Sequence, residues 1–402
     1  MTDLRPDTAP VSDVDPFAPA SLADPIPVDE ALRELGPLVW LRKYDLWATG
    51  RHETVERIFR DPTVFESSAG TGLTNIKHEE NWRPPSVILE ADPPEHGKYR
   101  KVMTTVLSQR VIRRLKDEFR AHADDLVADL VGRGEFDAAK DLAEAFPLRV
   151  LPDAVGLAPE GREHLLTYAN LNFQAMGPKN ALYQEAVANA VDATQYVNWQ
   201  MRRENLDEDK LAGSIFAAAD KGDISAEDAG MLVRTFLSAG LDTTILGIGI
   251  AIKALADNET AWQALRADPS LARTVFEEGL RWYAPSPFIG RTTTCPVEID
   301  GAFLGAAQKV LLLVGAANRD PRRWERPEQF DLARDTSGQL AFGTGIHGCV
   351  GQMMARMEAE VVLSALAERA GSVELAGPPA PKLSNWLRGY DSLPVRVTPK
   401  RG

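Results

Sequence analysis

One cysteine stands in a loop whose composition suits an anionic sulfur. Residues 342–351 read FGTGIHGCVG, which places Cys349 between glycines and just before a predicted helix. Glycines let backbone N–H groups approach the sulfur, and the positive end of a helix dipole stabilises a thiolate. The sulfur is therefore a candidate nucleophile or metal ligand. The alternative is a buried apolar cysteine. Zinc is disfavoured because the sequence offers no second cysteine nearby and no spaced histidine pair.

An acid and an alcohol interrupt the most apolar stretch of the chain. Residues 238–244 read SAGLDTT, and Asp242 is the only charged residue between Phe236 and Ile252. Hydroxyl side chains that bond to helix carbonyls, together with a glycine, predict a local distortion of the helix here. An acid beside an alcohol can relay protons. The alternative is that Asp242 is a salt-bridge partner and that Thr243 packs like a valine.

The elements that must hold these residues are predicted to be mostly helical. An N-cap at Ser225 opens a helix that stays apolar through Ala256, and helical periodicity dominates residues 96–285. Further predicted elements are a small sheet within 37–49, helices over 52–60 and 350–370, a long loop over 66–95, strands at 292–299 and 309–314, and a meander over 318–340. We expect a flexible arm, residues 1–27, and one mainly α domain with small β-sheets, residues 28–402.

Composition excludes several classes of protein. A formal net charge of −13 disfavours nucleic-acid binding, which needs a basic face. Two cysteines, Cys295 and Cys349, do not make a disulfide framework, so we expect a cytoplasmic protein. No apolar run reaches the roughly 18 residues of a membrane span, and the first 27 residues lack the features of a signal peptide.

The cysteine loop matches every fixed position of F-x-x-G-x-x-x-C-x-G and so resembles the cytochrome P450 family. The resemblance implies that family's fold, a single triangular-prism domain, and haem b held by Cys349, with Phe342 and Gly351 beside it. Residues 239–243, AGLDT, resemble the family's A-G-x-D-T motif. This likeness implies that Asp242 and Thr243 deliver protons for oxygen activation.

Two further pairs resemble P450 motifs, although their helical spacing alone is common. Glu278 and Arg281 resemble the E-x-x-R pair, a buried ion pair behind the haem. Its third partner is Arg334 or Arg319, and the sequence leaves this choice open. The family's H-x-x-x-R pair, His96 and Arg100 in this chain, implies contacts to the haem propionates, together with Arg291 and His347. A simple hydrogen bond within the loop is the alternative for His347.

Basic residues between 98 and 116 stand out in an acidic chain. They are Lys98, Lys101, Arg110, Arg113, Arg114 and Lys116. In the family an acidic ferredoxin docks on the cysteine side, so the resemblance implies that this basic face receives electrons from a ferredoxin and its NAD(P)H-dependent reductase. The alternative is a solvated face without a partner. The sequence shows no flavin or iron–sulfur module, and we expect a monomer.

Residues 81–94, NWRPPSVILEADPP, resemble the substrate loop of bacterial P450 enzymes that O-demethylate para-methoxybenzoates. A rigid, proline-framed loop with Arg83 and Ser86 at i,i+3 suits a carboxylate, although Arg83 could instead point to solvent. The resemblance also implies a pocket completed by two polar and four further residues. These are Thr235 and Ser238, then Phe173, Met176, Ser286 and Ile289. Three of these residues differ from those that the subgroup has at the same positions, namely Met176, Ser286 and Ile289. These differences predict a roomier pocket.

The leading hypothesis is therefore a P450 that uses O2 to demethylate or hydroxylate the para substituent of aromatic acids such as 4-methoxybenzoate. A second hypothesis keeps the fold but assigns a neutral substrate such as a terpenoid. A third, from another class, is a haem-thiolate sensor without turnover, against which the Asp242–Thr243 pair argues.

Overall fold

The computed structural model describes residues 9–400, and most of them are helical. The α-helices are α1 Pro19–Ala23, α2 Ile26–Leu35, α3 His52–Arg60, α4 Glu95–Val106, α5 Gln109–Arg133, α6 Ala145–Val155, α7 His164–Gln174, α8 Ala181–Asn189, α9 Val191–Gln200, α10 Leu211–Asp220, α11 Ala226–Ala239, α12 Asp242–Asp257, α13 Glu259–Ala267, α14 Ala272–Trp282, α15 Val314–Ala317 and α16 Gln352–Arg369. A π-helix spans Ala138–Glu144. No regular element is assigned between β4 (Phe65–Glu66) and α4, as the long loop predicted.

The strands are short, and in residues 9–400 they form four sheets. They are β1 Val11–Ser12, β2 Val39–Leu41, β3 Leu46–Thr49, β4, β5 Glu135–Asp137, β6 Phe288–Thr293, β7 Val297–Ile299, β8 Ala302–Leu304, β9 Lys309–Leu313, β10 Ala370–Leu375, β11 Ala380–Pro381, β12 Tyr390–Ser392 and β13 Pro394–Pro399. The largest sheet has the order β1-β2-β3-β9-β6-β4, with β3 parallel to β9 (Trp47 opposite Val310) and β6 antiparallel to β9. The predicted fold class, mainly α with small β-sheets, is confirmed.

The N-terminal segment differs from the predicted arm over its described part. Residues 1–8 lie outside the described range, but β1 pairs in parallel with β2, Val11 opposite Trp40. Phe17 is 2% exposed and its ring lies 5.3 Å from those of Tyr44 and Phe288. The proline- and aspartate-rich composition predicted mobility, whereas one buried aromatic side chain anchors this segment to the main sheet.

The long central helix is broken where the sequence predicted a distortion. It opens at Ser225 with a capping box, in which Ser225 and Asp228 each accept the other's backbone N–H. α11 ends at Ala239 and α12 begins at Asp242, so Gly240 and Leu241 lie between two helical segments. The combined span Ala226–Asp257 is long and apolar enough to cross a membrane, yet 72% of its most apolar window is buried inside the molecule.

A buried ion-pair network lies between α14 and the meander. Arg281 donates two hydrogen bonds to Glu278, of 2.7 and 2.8 Å, and both side chains are fully buried. Arg334 Nε donates to the same Glu278 carboxylate at 3.2 Å, whereas Arg319 donates to the Trp282 carbonyl instead. The third partner, left open by the sequence, is therefore Arg334. α16, which follows Cys349, packs along α5, α12 and α14.

Candidate active site

A large apolar cavity lies between the broken helix and the cysteine loop. The space between its walls measures about 1570 Å³, a volume that includes the open mouth. Its walls come from α4, α11, α12, α14, β6 and the cysteine loop. The cavity therefore extends from the helix break at Gly240 to Cys349.

Cys349 lines this cavity from the loop before α16. The Cys349 N–H donates to the Phe342 carbonyl over 2.7 Å and closes the loop, and Gly345 has a φ of 71°, which side-chain-bearing residues rarely adopt. Burial raises the pKa of the Cys349 thiol, while the backbone N–H of Gly351 acts in the opposite direction. Since a metal ion displaces the thiol proton, the loop suits a metal-bound thiolate. Phe342 and Gly351 line the same cavity.

Basic side chains without strong acceptors face the cavity near Cys349. Arg291 is 2% exposed and donates only to the adjacent Gly290 carbonyl among the described residues, and burial lowers its pKa to about 10. The rings of His96 and His347 lie 4.3 Å apart, and their buried Nε2 atoms have no hydrogen-bond partner within residues 9–400. A planar cofactor with two carboxylates fits these donors.

Two of the four candidate partners of these carboxylates, Arg100 and His347, also lie close to groups of the chain. Arg100 lines the cavity and donates to the Gly348 carbonyl of the cysteine loop. Nε2 of His347 lies 3.8 Å from the Asp92 carboxylate, which is too long for a hydrogen bond. Burial lowers the pKa of His347, and burial also lowers that of His96 to about 4. Both imidazoles are thus neutral near pH 7 and can each donate one N–H. The four residues predicted to contact the cofactor carboxylates, namely His96, Arg100, Arg291 and His347, therefore line the same cavity.

At the helix break the side chain of Thr243 faces the cavity, while the side chain of the preceding residue, Asp242, is buried. Thr243 lines the cavity, and its hydroxyl lies 3.4 Å from the Ala239 carbonyl, a long contact that leaves the hydroxyl available to other partners. Asp242 is 7% exposed and does not belong to the cavity wall. Burial raises the pKa of Asp242 to about 6, and its Oδ2 has no hydrogen-bond partner in the described chain.

The predicted substrate residues fall into three groups. Four of them line the large cavity, namely Phe173, Thr235, Ser286 and Ile289. Two, Arg83 and Met176, line a smaller neighbouring pocket instead. The remaining two, Ser86 and Ser238, line neither. The structure thus brings three of the four residues predicted for the apolar part together with Thr235, but keeps Met176 and the two clamp residues of the loop outside the main cavity.

Arg83 is held by partners that the sequence did not reveal. Its Nε donates to Asn172 at 2.9 Å and its Nη1 to Glu90 at 2.8 Å, and the side chains of Arg83 and Glu90 are 9% and 7% exposed. The alternative in which the Arg83 side chain points to solvent is therefore wrong. Glu90 also accepts the backbone N–H of Ser86 at 2.7 Å. One carboxylate thus contacts both predicted clamp residues.

A second arginine, missed from the sequence, completes this cluster. Arg234 on α11 is 5% exposed and donates to the Pro84 carbonyl at 2.9 Å, the same oxygen that accepts from Arg83 at 3.0 Å. No carboxylate in residues 9–400 forms an ion pair with Arg234. In the sequence, the only indication of a role for Arg234 was its position directly before Thr235, a predicted substrate residue. The cluster of Arg83, Arg234 and Glu90 carries a net positive charge of one.

The basic residues between 98 and 116 are exposed on α4 and α5. α5 packs lengthwise on α16, the helix that begins after Cys349. Two of the six have acidic neighbours within the chain: Lys116 pairs with Glu360 at 2.5 Å, and Lys98 lies 3.7 Å from Asp228. The arginines of this basic face form no such pair within the described residues.

Comparison with known proteins agrees with the fold. The family model for cytochrome P450 matches residues 162–369. The chain is 49% identical to cytochrome P450 CYP199A2 of Rhodopseudomonas palustris over 96% of this chain and 94% of that protein. It is 29% identical to the epothilone C/D epoxidase of Sorangium cellulosum over 98% of this chain and 97% of that protein.

Solved structures agree as well. The epothilone D-bound cytochrome P450epoK superposes with a TM-score of 0.85 at 27% identity, over 97% of this chain and all of that one. CYP109Q5 from Chondromyces apiculatus superposes with a TM-score of 0.82 at 30% identity, over 97% and 99% of the two chains. The chain belongs to the cytochrome P450 family. It is an oxidoreductase of the monooxygenase class, and its cofactor is haem b, which the family holds through a cysteine thiolate.

Proposed function

We propose that this P450 oxidises the para substituent of aromatic carboxylic acids, with O-demethylation of 4-methoxybenzoate as the test reaction. The observation that carries the proposal is the cluster of Arg83, Arg234 and Glu90 beside an apolar cavity. A buried net positive charge favours one carboxylate, while an apolar cavity favours the ring. An acid held at the loop leaves the para substituent as the part of the molecule farthest from the cluster.

We propose Cys349 as the haem ligand and four basic residues as partners of its carboxylates. Cys349 lines the cavity, whereas Cys295 is an exposed cysteine elsewhere on the molecule. His96, Arg100, Arg291 and His347 supply the donors, and the buried Arg291 gains the anion that its surroundings lack. When bound, haem supplies the iron centre that activates O2, and the thiolate donates electron density to it.

Asp242 and Thr243 are the proposed proton relay. The Thr243 hydroxyl faces the cavity and can hold a proton at Oγ1, while Asp242, with its pKa raised to about 6 by burial, exchanges protons near neutral pH. Substrate contacts are proposed for Phe173, Thr235 and Ile289, together with Ser286, in the cavity wall. Met176, Ser86 and Ser238 would join them only through a shift of the loop or helix.

Electrons are proposed to come from a ferredoxin reduced by an NAD(P)H-dependent reductase. The exposed basic face on α4 and α5 supports this, because α5, one of the two helices that carry it, packs against the helix that follows Cys349. A small acidic protein would be attracted to this face in an otherwise acidic molecule. We propose that the enzyme acts as a monomer in the cytoplasm, with one haem domain over residues 28–402.

The test is a titration of the haem-loaded protein with 4-methoxybenzoate, followed by turnover with a ferredoxin and its reductase. We expect a high-spin shift of the Soret band and one formaldehyde for each molecule of acid consumed. Arg83→Ala should weaken acid binding by at least tenfold while the CO-difference spectrum stays unchanged. The proposal is lost if the acid gives neither a spectral shift nor formaldehyde.

A neutral substrate is the second candidate, and one observation favours it. Arg83 is already paired with Glu90 and does not line the large cavity, whose walls are mostly apolar. A terpenoid or another uncharged ligand would then bind without using the cluster. Titration with camphor-like ketones alongside 4-methoxybenzyl alcohol and the acid separates the two candidates, because only an acid substrate depends on Arg83.

A further inference from the structure

We infer that Glu90 is a specificity-determining residue, an internal carboxylate that limits the affinity of this enzyme for acids. The inference rests on the proposed function, in which the cluster of Arg83, Arg234 and Glu90 binds a substrate carboxylate. Glu90 Oε2 accepts from Arg83 Nη1 at 2.8 Å and from the Ser86 N–H at 2.7 Å. A carboxylate of the chain thus binds the same guanidinium that a carboxylate of the substrate would use.

The presence of Glu90 is explained by the two arginines around it. Arg83 and Arg234 both donate to the Pro84 carbonyl, so two guanidinium groups converge on one oxygen atom. Burial lowers the pKa of Arg234, and the charge of Arg83 acts in the same direction. Two like charges so close and so little exposed repel strongly. Glu90 offsets this repulsion and fastens the loop through Ser86.

The same charge opposes an incoming acid. The Arg83 and Glu90 side chains are 9% and 7% exposed, so water screens their charges only weakly. A substrate carboxylate near Arg83 is attracted by two guanidinium groups and repelled by Glu90. Removing the negative charge doubles the net positive charge of the cluster. A neutral acceptor at this position keeps the hydrogen bonds that position Arg83, so the change in charge decides the effect on acid binding.

Glu90→Gln separates charge from shape. Glutamine keeps the length of the side chain and an oxygen that accepts from Arg83 and from the Ser86 N–H, but it carries no charge. The matched control is Glu80→Gln, which removes the same charge from an exposed residue of the same loop that borders the same small pocket. Solvent screens Glu80, so its removal should leave acid binding within twofold.

The experiment measures the dissociation constants of 4-methoxybenzoate and of neutral 4-methoxybenzyl alcohol from the Soret shift of the haem-loaded variants. We expect Glu90→Gln to bind the acid at least tenfold more tightly than the wild-type enzyme and the alcohol within twofold. An unchanged or weaker acid affinity would overturn the inference and leave Glu90 as a residue that only positions Arg83. Equal tightening of acid and alcohol would overturn it too, because the cavity itself would then have changed.

The same titrations distinguish failure of the inference from failure of the proposed function. If the wild-type enzyme binds the acid and Glu90→Gln binds it no better, the inference alone is overturned. If the wild-type enzyme ignores the acid while Glu90→Gln binds it, the inference stands and the proposed substrate of the natural enzyme is wrong. If neither binds the acid, both are overturned.

Discussion

Asp242 and Thr243 are adjacent in the chain but face opposite environments. The Thr243 side chain lines the cavity, whereas the Asp242 carboxyl is 7% exposed and lies outside the cavity wall. Successive residues of a helix point about 100° apart, and both residues belong to the first turn of α12, directly after the break at Gly240 and Leu241. A buried acid behind a cavity-facing alcohol is the arrangement that a two-step proton relay needs.

Asp242→Asn should slow turnover and stabilise the protein. Without a titratable group behind Thr243, we expect formaldehyde formation to fall by about 100-fold. The raised pKa, about 6, means that the ionised carboxylate costs folding free energy, a cost that appears as pH rises from about 4 to 6. Urea unfolding at pH 7.5 should therefore show the variant to be more stable. Unchanged turnover would contradict the relay.

Thr243→Val should uncouple NAD(P)H oxidation from product formation. Valine keeps the shape of the side chain but lacks the hydroxyl that faces the cavity. We expect NAD(P)H oxidation to continue while formaldehyde per NAD(P)H falls by at least fivefold and peroxide accumulates. Thr243→Ser restores a hydroxyl and should recover most of the coupling. Equal coupling in the valine and serine variants would show that Thr243 serves only in packing.

Arg334→Ala should destabilise the haem domain more than Arg319→Ala. Arg334 is the cation that joins the fully buried Glu278–Arg281 pair, with 3.2 Å between its Nε and the carboxylate. Its loss should cost on the order of 3 kcal/mol. Arg319 bonds to the Trp282 carbonyl and to no carboxylate within residues 9–400, so its loss should cost about 1 kcal/mol. Urea unfolding and haem content check the order, and the reverse order would contradict it.

Local patterns made several of these features predictable. The cap at Ser225 depends on residues three positions apart, and the helix break depends on Gly240 and its immediate neighbours. Glu278 and Arg281 are one turn apart, a spacing that allows an ion pair, and the resemblance to the E-x-x-R motif predicted that this pair is buried. The loop around Cys349 is likewise a local glycine pattern. Interactions within one turn or one loop join residues that are close together in the sequence. They can therefore be predicted from a short stretch of it.

Contacts across the fold could not be predicted in the same way. Arg234 bonds to Pro84, 150 positions earlier, and nothing local to either residue indicates this partner. The pairing of Arg83 with Glu90 competes with an equally reasonable solvent-facing arginine, and only the folded loop decides between them. Phe17 is a further example. The composition of the N-terminal segment predicts mobility, but the buried side chain of Phe17 anchors the segment.

Glu358→Gln should change the pH dependence of stability. Glu358 on α16 is fully buried, neither carboxyl oxygen has a hydrogen-bond partner within the described chain, and burial raises its pKa to about 8. The folded state therefore keeps the proton that the unfolded state loses, so wild-type stability falls as pH rises from about 4.5 to 8. Relative to wild type, the variant should gain about 1.4 kcal/mol per pH unit across that interval.

Denaturant unfolding at pH 5, 6.5 and 8 measures this difference in slope. A constant offset between variant and wild type at all three values would mean that Glu358 is ionised in the folded protein. A conservative Glu360→Gln serves as control, because Glu360 forms a partly exposed pair with Lys116 and should show little pH-dependent difference over the same range.

Arg113→Glu should impair electron delivery. Arg113 is exposed on α5 and forms no ion pair within residues 9–400, so its charge is available to an acidic partner. Reversing that charge should raise the KM for the ferredoxin at least fivefold at low ionic strength, with the difference shrinking as salt screens it. Arg133→Glu is the control, because Arg133 is also exposed on α5, where it pairs with Asp129, but lies 20 residues, roughly 30 Å, further along the helix. Equal effects of the two substitutions would show that the docking surface does not involve the basic face beside Cys349.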